Sequence, residues 1–437
     1  MTFRLSLLVA ASSLLLACSS GADNGSGPGG SGNVPTASNI QHLVVVIQEN
    51  TAFDVYYGQY CKAATGSDPK CNDGPDCCEA GPATDPSGAQ PTPLDDAAHG
   101  AFDPDHSADC MTKEINGGSM DRYVTGASGC SDARNFAYAD AQVIQPYRDM
   151  AAQSALADRW FQPVVGSSSA NDMYFATAKF EFTDNTKTPD ADGAHCGLHG
   201  ERSTLTDQSV GDLLADAGVP WAFYLQGYQA MVDANKQSIS CADADPACPG
   251  GVNIYPCVYD PGDVPFQFYT RFRDNSKYMR DFSQLSKDLS AGRLPSVVFV
   301  KALGFRTEHP GYKSTIKDGV DFVTGFVDAI EKSSYADSTL ILYTYDESGG
   351  FFDHVPPPPD SNVDGKAYGP RVPTMAIGPF AKQNFISHVT LEHSSVVKFI
   401  EWNWLDKATG ELGARDAVVN NIGSLLDATK TGTAVPE

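Results

Sequence analysis

The sequence predicts an α/β fold, a large and mostly parallel β-sheet with helices on both faces. Three observations carry this. Continuous apolar runs at residues 40–48, 294–302 and 340–345 have the character of strands buried on both sides. Helical stretches alternate with them, most clearly the amphipathic residues 318–332, which is the pattern of parallel crossover units. The strong runs also stop abruptly in polar residues, as expected where carboxyl ends of parallel strands meet a ligand. At 437 residues with 41% hydrophobic content, the chain can build one large core or two ordinary ones. No linker interrupts it after residue 40.

Taken in order, Arg4 and the apolar residues 5–16 form a signal segment too short to span a bilayer. Leu15-Leu16-Ala17-Cys18 resembles a bacterial lipobox, which implies cleavage after residue 17 and lipidation of Cys18. An ordinary secretory signal is the alternative, and either one exports the protein. Residues 18–39 are rich in Gly, Ser, Pro and Asn and form a flexible tether. A single domain is expected over residues 40–430. Its strands are expected at 40–48, 221–225, 294–302, 340–345 and 371–378. Its helices are expected at 139–157, 170–179, 205–217, 277–291, 318–332 and 393–404. Residues 59–135 and 226–275 are irregular and rich in Asp, Gly and Cys, and the first is too long for an ordinary loop.

Beyond Cys18 there are ten cysteines, all before residue 260. An even count in an exported chain implies a disulfide framework of up to five bridges, stapling the insertions rather than the core. No paired CxxC spacing favours zinc instead. The net charge of −24, from 54 acidic and 30 basic residues, excludes a basic footprint for nucleic acid. It also repels anionic substrates at long range, so a bound cation would help.

The chemistry gathers at strand ends. Asp346 and Glu347 close the run 340–345 and are followed by Gly349 and Gly350. Adjacent carboxylates in a dry cleft repel, so a metal ion or a shared proton belongs between them. Glu49 and Asn50 follow the first strand. A turn from Gly166 to Asn171 holds Ser167, Ser168 and Ser169 at a helix start, where backbone N–H groups favour an anion. Glu, Asn, Asp and a hydroxyl form an all-oxygen set suited to a hard divalent cation. A serine beside such an ion can become a nucleophile, although a plain N-cap is the commoner role. His106, His309 and His354 each sit in a loop beside Asp, Glu or Pro and are candidate acids or phosphate donors.

These pieces resemble a known family. The resemblance lies in residues 42–58 (HLVVVIQENTAFDVYYG), Asp105-His106-Ser107 with residues 116–121, and residues 157–161 with Val165-Gly166. It continues in Glu308-His309-Pro310, residues 345–355 (YDESGGFFDHV), residues 369–373 and residues 393–401. The chain resembles the bacterial and fungal phosphoesterases that include phosphatidylcholine-type phospholipases C and certain acid phosphatases, within the alkaline-phosphatase-like superfamily. The resemblance implies one divalent metal ion on Glu49, Asn50, Ser168, Asp346 and Glu347. Calcium, magnesium or manganese is favoured, and zinc is possible. It implies Ser168 as nucleophile, with His106, His309 and His354 holding phosphate or protonating the leaving group. Asn50 and Asn171, with His106 and His309, are the expected substrate contacts. Departures are clear. The family's Gly-Pro is Gly166-Ser167 here, so Ser167, Ser168 and Ser169 compete for the nucleophile role. Thr51 and Val55 replace an Arg-like position and a His, and Ser348 replaces a frequent His.

The expected activity is hydrolysis of a phosphoester, either a phospholipid head group or a small phosphomonoester. Family phospholipases often carry further carboxyl-terminal β domains. Since this chain ends soon after the motifs, the bare domain of the acid phosphatases is expected. The alternative is a non-catalytic surface lipoprotein that keeps the fold as a binding module. A monomer is expected, with no nucleic-acid partner, held at the bacterial envelope through Cys18. Cys18→Ser should therefore be exported yet recovered in the soluble fraction. Recovery of the variant in the membrane fraction would contradict the anchor.

Overall fold

Among the described residues, ten strands form in chain order. They are β1 His42–Gln48, β2 Thr92–Leu94, β3 Ala137–Ala139, β4 Ala155–Ala157, β5 Trp221–Leu225, β6 Met279–Asp281, β7 Val297–Lys301, β8 Thr339–Tyr345, β9 Thr374–Ile377 and β10 Phe385–Ser387. The computed structural model describes residues 34–182, 189–197 and 200–437. The signal segment, Cys18 and most of the tether lie outside them. Residues 37–39, expected to belong to the tether, are tied to the body: Ala37 donates to the Asn403 carbonyl at 2.8 Å and Asn39 to that of Thr431 at 2.7 Å. The body also runs past residue 430, since Gly423 donates to the Pro436 carbonyl at 3.0 Å.

Eight strands share one sheet in the order β10-β4-β9-β8-β1-β7-β5-β6. Only β9 runs against its neighbours β8 and β4; the other pairs are parallel. Every residue of β5, β7, β8 and β9 is buried, so both faces of the sheet centre are covered, as the unbroken apolar runs require. One covering group contains Tyr174–Thr177, Val210–Asp216 and His393–Trp404, which pack on one another. Another contains Ile316–Glu331 with Gln145–Ala151 and Asp96–Ala101. Ile316–Glu331 starts at Thr315, whose side chain accepts from Asp318 N–H, and it buries Ile316, Val320, Val323, Val327 and Ile330 along one stripe.

Several expectations were displaced towards the sheet edges. The stretch 139–157 yields helix Gln145–Ala151 and then β4, and 277–291 yields β6 and then helix Ser283–Ser290. Strand β10 carries no sequence signal. Three-residue strands are too short for a periodic pattern and form because a neighbour offers a hydrogen-bonding edge. The helix expected over 170–179 divides into Ser168–Asp172 and Tyr174–Thr177. The expected bridges form five local pairs: Cys61–Cys78, Cys71–Cys77, Cys110–Cys130, Cys196–Cys241 and Cys248–Cys257. Four lie within the two insertions, and Cys196–Cys241 ties the second insertion to a segment well before it. The first insertion also contains β2, which pairs in parallel with β3 just beyond it.

The three central strands end side by side. In register, Gln48 at the end of β1 pairs with Tyr345 at the end of β8, and β7 flanks β1 on the other side. Beyond β7, Gly319 of the covering helix lies so close to Glu308 that a Cβ on it would sit 2.1 Å from the Glu308 Cγ. Gly319→Ala should therefore lower unfolding free energy by about 1–3 kcal/mol, the usual cost of overpacking. A urea melt matching wild type would contradict this packing.

Candidate active site

Because β8, β1 and β7 run parallel side by side, the residues after each emerge at one edge of the sheet. Asn50, two residues past β1, turns into the left-handed region at φ 59°, which Asn tolerates better than most residues. Gly349 packs on it: at φ 67°, a Cβ there would meet the Asn50 carbonyl oxygen at 2.2 Å. This position accepts only glycine, on conformation and on space.

The Asn50 side chain joins three predicted site residues. Its Nδ2 lies 3.3 Å from His106 Nε2 and 3.2 Å from His309 Nε2, and its Oδ1 accepts from Ser168 Oγ at 3.3 Å. The opposite ring nitrogens face backbone carbonyls, His106 Nδ1 at 2.9 Å from Pro104 O and His309 Nδ1 at 2.8 Å from Pro310 O. A carbonyl only accepts, so both Nδ1 atoms carry hydrogen and both Nε2 atoms keep a lone pair for the two Asn50 amide hydrogens. His106 comes from the first insertion, just before helix Ala108–Ile115, whose Ser107 N-cap accepts from Cys110 N–H.

Asp346 and Glu347 are fully buried. Asp346 Oδ1 accepts the backbone N–H of Asn50 at 3.0 Å and of Glu347 at 2.6 Å, and Glu347 Oε2 accepts that of Gly349 at 2.7 Å. The second oxygens, Asp346 Oδ2 and Glu347 Oε1, are buried without a well-formed hydrogen bond, and the Ser168 hydroxyl stands close enough to Asp346 to favour its anion. Burial pushes both carboxyls up, Glu347 further because Asp346 stands beside it. His393 holds the turn, donating from Nε2 to the Asp346 carbonyl at 2.6 Å while Nδ1 accepts from Trp160. Burial keeps it neutral, its pKa lowered to about 3. Two orphaned carboxylate oxygens beside the Asn50 amide oxygen and the Ser168 hydroxyl make a donor set that fits a hard divalent cation.

Glu49 is placed differently from its neighbours. Its Oε1 lies 3.2 Å from Lys301 Nζ and its Oε2 accepts from Tyr255 at 2.7 Å. Burial raises its pKa, but the Lys301 ammonium and the Tyr255 hydroxyl hold it below the ordinary value. Among the described residues, the trios of acidic, His or Cys side chains with ligand atoms all within 4.8 Å are Asp103-His106-His309, Asp54-Asp353-His354 and Asp109-Cys110-Cys130. Glu49, Asp346 and Glu347 do not form such a trio.

Two expected site residues have other partners. Asn171 is buried and commits its whole amide to the serine turn: Oδ1 accepts from Val164 N–H, and Nδ2 donates to the Gly166 and Ser167 carbonyls. It shapes the turn rather than facing substrate. His354 stands outside the Asn50 cluster, with Nδ1 2.7 Å from Asp54 and Nε2 3.2 Å from Glu79. Arg371 completes that buried network through Asp54 and Asp353.

Sequence reasoning missed Lys301, Asp172, Tyr255 and the surroundings of Glu308. Lys301, which closes the apolar run of β7, was the signal available. Its Nζ also lies 3.1 Å from Asp172, and burial pushes the Asp172 carboxyl up to about 8 against the pull of Lys301. Burial disfavours the Lys301 charge, but Asp172, Glu49, Asp263 and Asp346 outweigh it and keep the amine protonated. Glu308, also in the left-handed region at φ 66°, is buried among hydroxyls. It accepts from Tyr56 and Tyr345, each at 2.5 Å, from Tyr147, and from Gln48 at 3.1 Å.

The phosphoesterase family model matches residues 40–405. The chain belongs to the phosphoesterase family. The phosphoesterase is 25% identical to phospholipase C B of Mycobacterium tuberculosis, covering 89% of this chain and 78% of that one. It is 24% identical to a non-hemolytic phospholipase C of Burkholderia pseudomallei, covering 85% of this chain and 56% of that one. It is 23% identical to non-specific phospholipase C3 of Arabidopsis thaliana, covering 93% and 78%. Among solved structures, it is similar to the lipoteichoic acid synthase LtaP from Listeria monocytogenes, with a TM-score of 0.41, 9% identity, and coverage of 87% and 76%. The phosphoesterase is thus a phosphoric ester hydrolase, which sets aside the binding-module alternative.

Burial raises the Glu308 carboxyl to about 7, against hydrogen bonds from Tyr147, Tyr345, Tyr56 and Gln48 that favour its anion. The folded state therefore binds this proton more tightly than the unfolded chain, whose Glu titrates near ~4.3. Its contribution is fully present below that value and is lost as pH rises to about 7. Glu308→Gln lacks this proton, so wild type should lose on the order of 3 kcal/mol relative to the variant between about pH 4.5 and 7.5. Parallel stability profiles in denaturant titrations would contradict the assignment.

Proposed function

We propose that the protein is a metal-dependent phosphoester hydrolase of phospholipase C type, with Ser168 as its nucleophile. The Asn50 amide carries this reading, since it joins the Ser168 hydroxyl to His106 and His309 beside the unpartnered oxygens of Asp346 and Glu347. Asp346, Glu347, Asn50 and Ser168 would hold the ion, with Glu49 at its margin. A hard divalent ion there would supply Lewis-acid stabilisation of the phosphoryl oxygens and a lowered seryl pKa.

The chain's own residues supply the rest. Asn50 aims the Ser168 oxygen, and the Asn171 amide keeps the serine turn in shape. As Ser168 Oγ bonds to phosphorus and the alkoxide departs, the Nε2 of His106 or His309 takes the seryl proton and returns it to the alkoxide. Water then attacks the phosphorus of the phosphoserine and gives its proton to the same Nε2, the P–Oγ bond breaks, and Ser168 Oγ takes that proton back. The helix Ser168–Asp172 has only five residues, so its dipole adds less to anion binding than the longer expected helix would. His354, held by two carboxylates, takes no part.

A cavity of about 320 Å³ adjoins Ser169 and is lined by Asp190, Asp260, Tyr255 and Tyr259 among others. Carboxylates and aromatic rings suit a cationic head group, so phospholipids with an ammonium head group are the favoured substrates. Five disulfides agree with an oxidising, exported location, and Cys18 would anchor the protein at the envelope.

Ser168→Ala should lower turnover on the order of 10³-fold or more, as for loss of a covalent nucleophile. Ser167→Ala and Ser169→Ala should keep most activity, and acid-quenched phosphoenzyme should carry its label on Ser168. A label on Ser167 or Ser169 would show that the turn is in another register. Asp346→Asn with Glu347→Gln should abolish both metal binding and activity while preserving the fold. Chelation followed by re-addition of calcium, magnesium, manganese or zinc identifies the ion. Side-by-side assays on a chromogenic phosphomonoester and a phosphocholine ester test the head-group preference.

A further inference from the structure

Among the described residues, six large hydrophobic side chains are exposed: Ile239, Val252, Ile254, Tyr312, Val363 and Val418. Scattered singly, such residues need no explanation. The first four are not scattered. A Cβ on Gly250 would lie 3.6 Å from Val252 Cγ2 and 3.9 Å from the Tyr312 carbonyl oxygen, which puts these two segments side by side. Ile254 follows Asn253, whose carbonyl packs against the Cys196–Cys241 bridge, two residues after Ile239. Each of the four is between 40% and 59% exposed.

This patch borders the site. Tyr255, next to Ile254, donates to Glu49 and meets His309 and Tyr312 edge-on, with ring centroids 5.5 and 5.4 Å away. Tyr312 meets His309 in the same way at 5.4 Å. Tyr255 and Cys196 also line the cavity beside Ser169. The apolar rim and the mouth of the site therefore share one face. The bridges Cys196–Cys241 and Cys248–Cys257 hold the rim, so its side chains project from a constrained backbone.

Charge decides which surface this rim can meet. Arg306, nearby, is paired with Asp245 at 3.4 Å. Asp190 and Asp260 line the adjoining cavity, and the chain as a whole carries −24. An anionic bilayer is repelled by such a surface. A zwitterionic bilayer presents ammonium groups outermost and leaves apolar insertion to supply the binding.

We propose that Ile239, Val252, Ile254 and Tyr312 form a docking surface for a zwitterionic phospholipid bilayer. Docking there seats the mouth of the site on the membrane, so that a head group can enter while the acyl chains stay in the bilayer. Tyr312 suits this place, because an apolar ring with a polar tip matches the membrane–water interface. The identity of the surface rests on the phospholipase C reading of the site.

Binding and turnover are measured separately on the full exported chain in its Cys18→Ser form, so that no lipid anchor contributes. Sedimentation with phosphatidylcholine vesicles reads docking, with Ser168→Ala added to prevent head-group loss. Turnover with Ser168 intact is compared on the same vesicles and on a monodisperse chromogenic phosphocholine ester. Val252→Ser with Ile254→Ser should weaken vesicle binding and vesicle turnover on the order of tenfold while leaving kcat/KM on the soluble ester unchanged. Val418→Ser, exposed in the carboxyl-terminal segment, should change neither. Adding phosphatidylglycerol to the vesicles should weaken binding at low salt. Equal vesicle binding by parent and double variant would overturn the proposal, as would tighter binding to the phosphatidylglycerol vesicles or an equal loss from Val418→Ser. A loss on the soluble ester as large as that on vesicles would show that the substitutions act on the site itself, which also overturns it. A parent that is dimeric without lipid, beside a monomeric double variant, would assign the patch to a second copy of the chain instead. No turnover of either substrate by the parent would overturn the phospholipase reading, while sedimentation still decides the docking.

Discussion

The parallel alignment of β8, β1 and β7 is the constraint on which the rest of the structure depends. Parallel strands cannot be joined by hairpins, so each must be reached by a crossover, and all their carboxyl ends fall at one edge. The pairing of Gln48 with Tyr345 puts Glu49-Asn50 beside Asp346-Glu347 with no further device. This arrangement concentrates buried negative charge, which the surrounding residues must offset.

They do so in three ways. Lys301 meets Glu49 and Asp172 with a formal charge. Arg371 meets Asp54 and Asp353 behind the Phe53–Tyr57 helix, and His354 closes that network with Glu79. Glu308 is met by tyrosine hydroxyls and an amide rather than by a cation, and its proton is correspondingly held more tightly. Among the acidic residues at the ends of β1 and β8, the second oxygens of Asp346 and Glu347 are left without a well-formed hydrogen bond.

The insertions have a positional role. The first carries His106 over the sheet edge to meet His309 and Asn50, and the bridge Cys110–Cys130 closes the segment just after it. The second supplies Tyr255 to Glu49 and one wall of the cavity beside Ser169. Stapling by local disulfides limits the freedom of segments with few regular elements, so that side chains on them can be held as firmly as those on strands.

The sequence by itself determined the central strands, the covering helices and the polar strand ends, because these signals are local. A buried strand must be apolar along its length, and whatever comes after it is adjacent in the chain. Glu49, Asn50, Asp346 and Glu347 were legible as candidates for that reason, His106 and His309 as loop histidines beside acidic residues or proline, and Ser168 through a family motif. Tertiary structure alone decided which of these meet and which are diverted. Asn171 shares a turn with Ser168 yet commits its amide to that turn's backbone. His354 follows the Asp346–Glu347 motif closely but is captured by Asp54, 300 residues earlier. Lys301 gave no motif, and its role exists only because β7 lies next to β1 and the Ser168 helix ends within reach of its ammonium. The three-residue strands β4, β6 and β10 were likewise illegible, since three residues hold no period and their pairing is set by a neighbour distant in sequence. Such facts depend on contacts between remote segments, which no local pattern encodes.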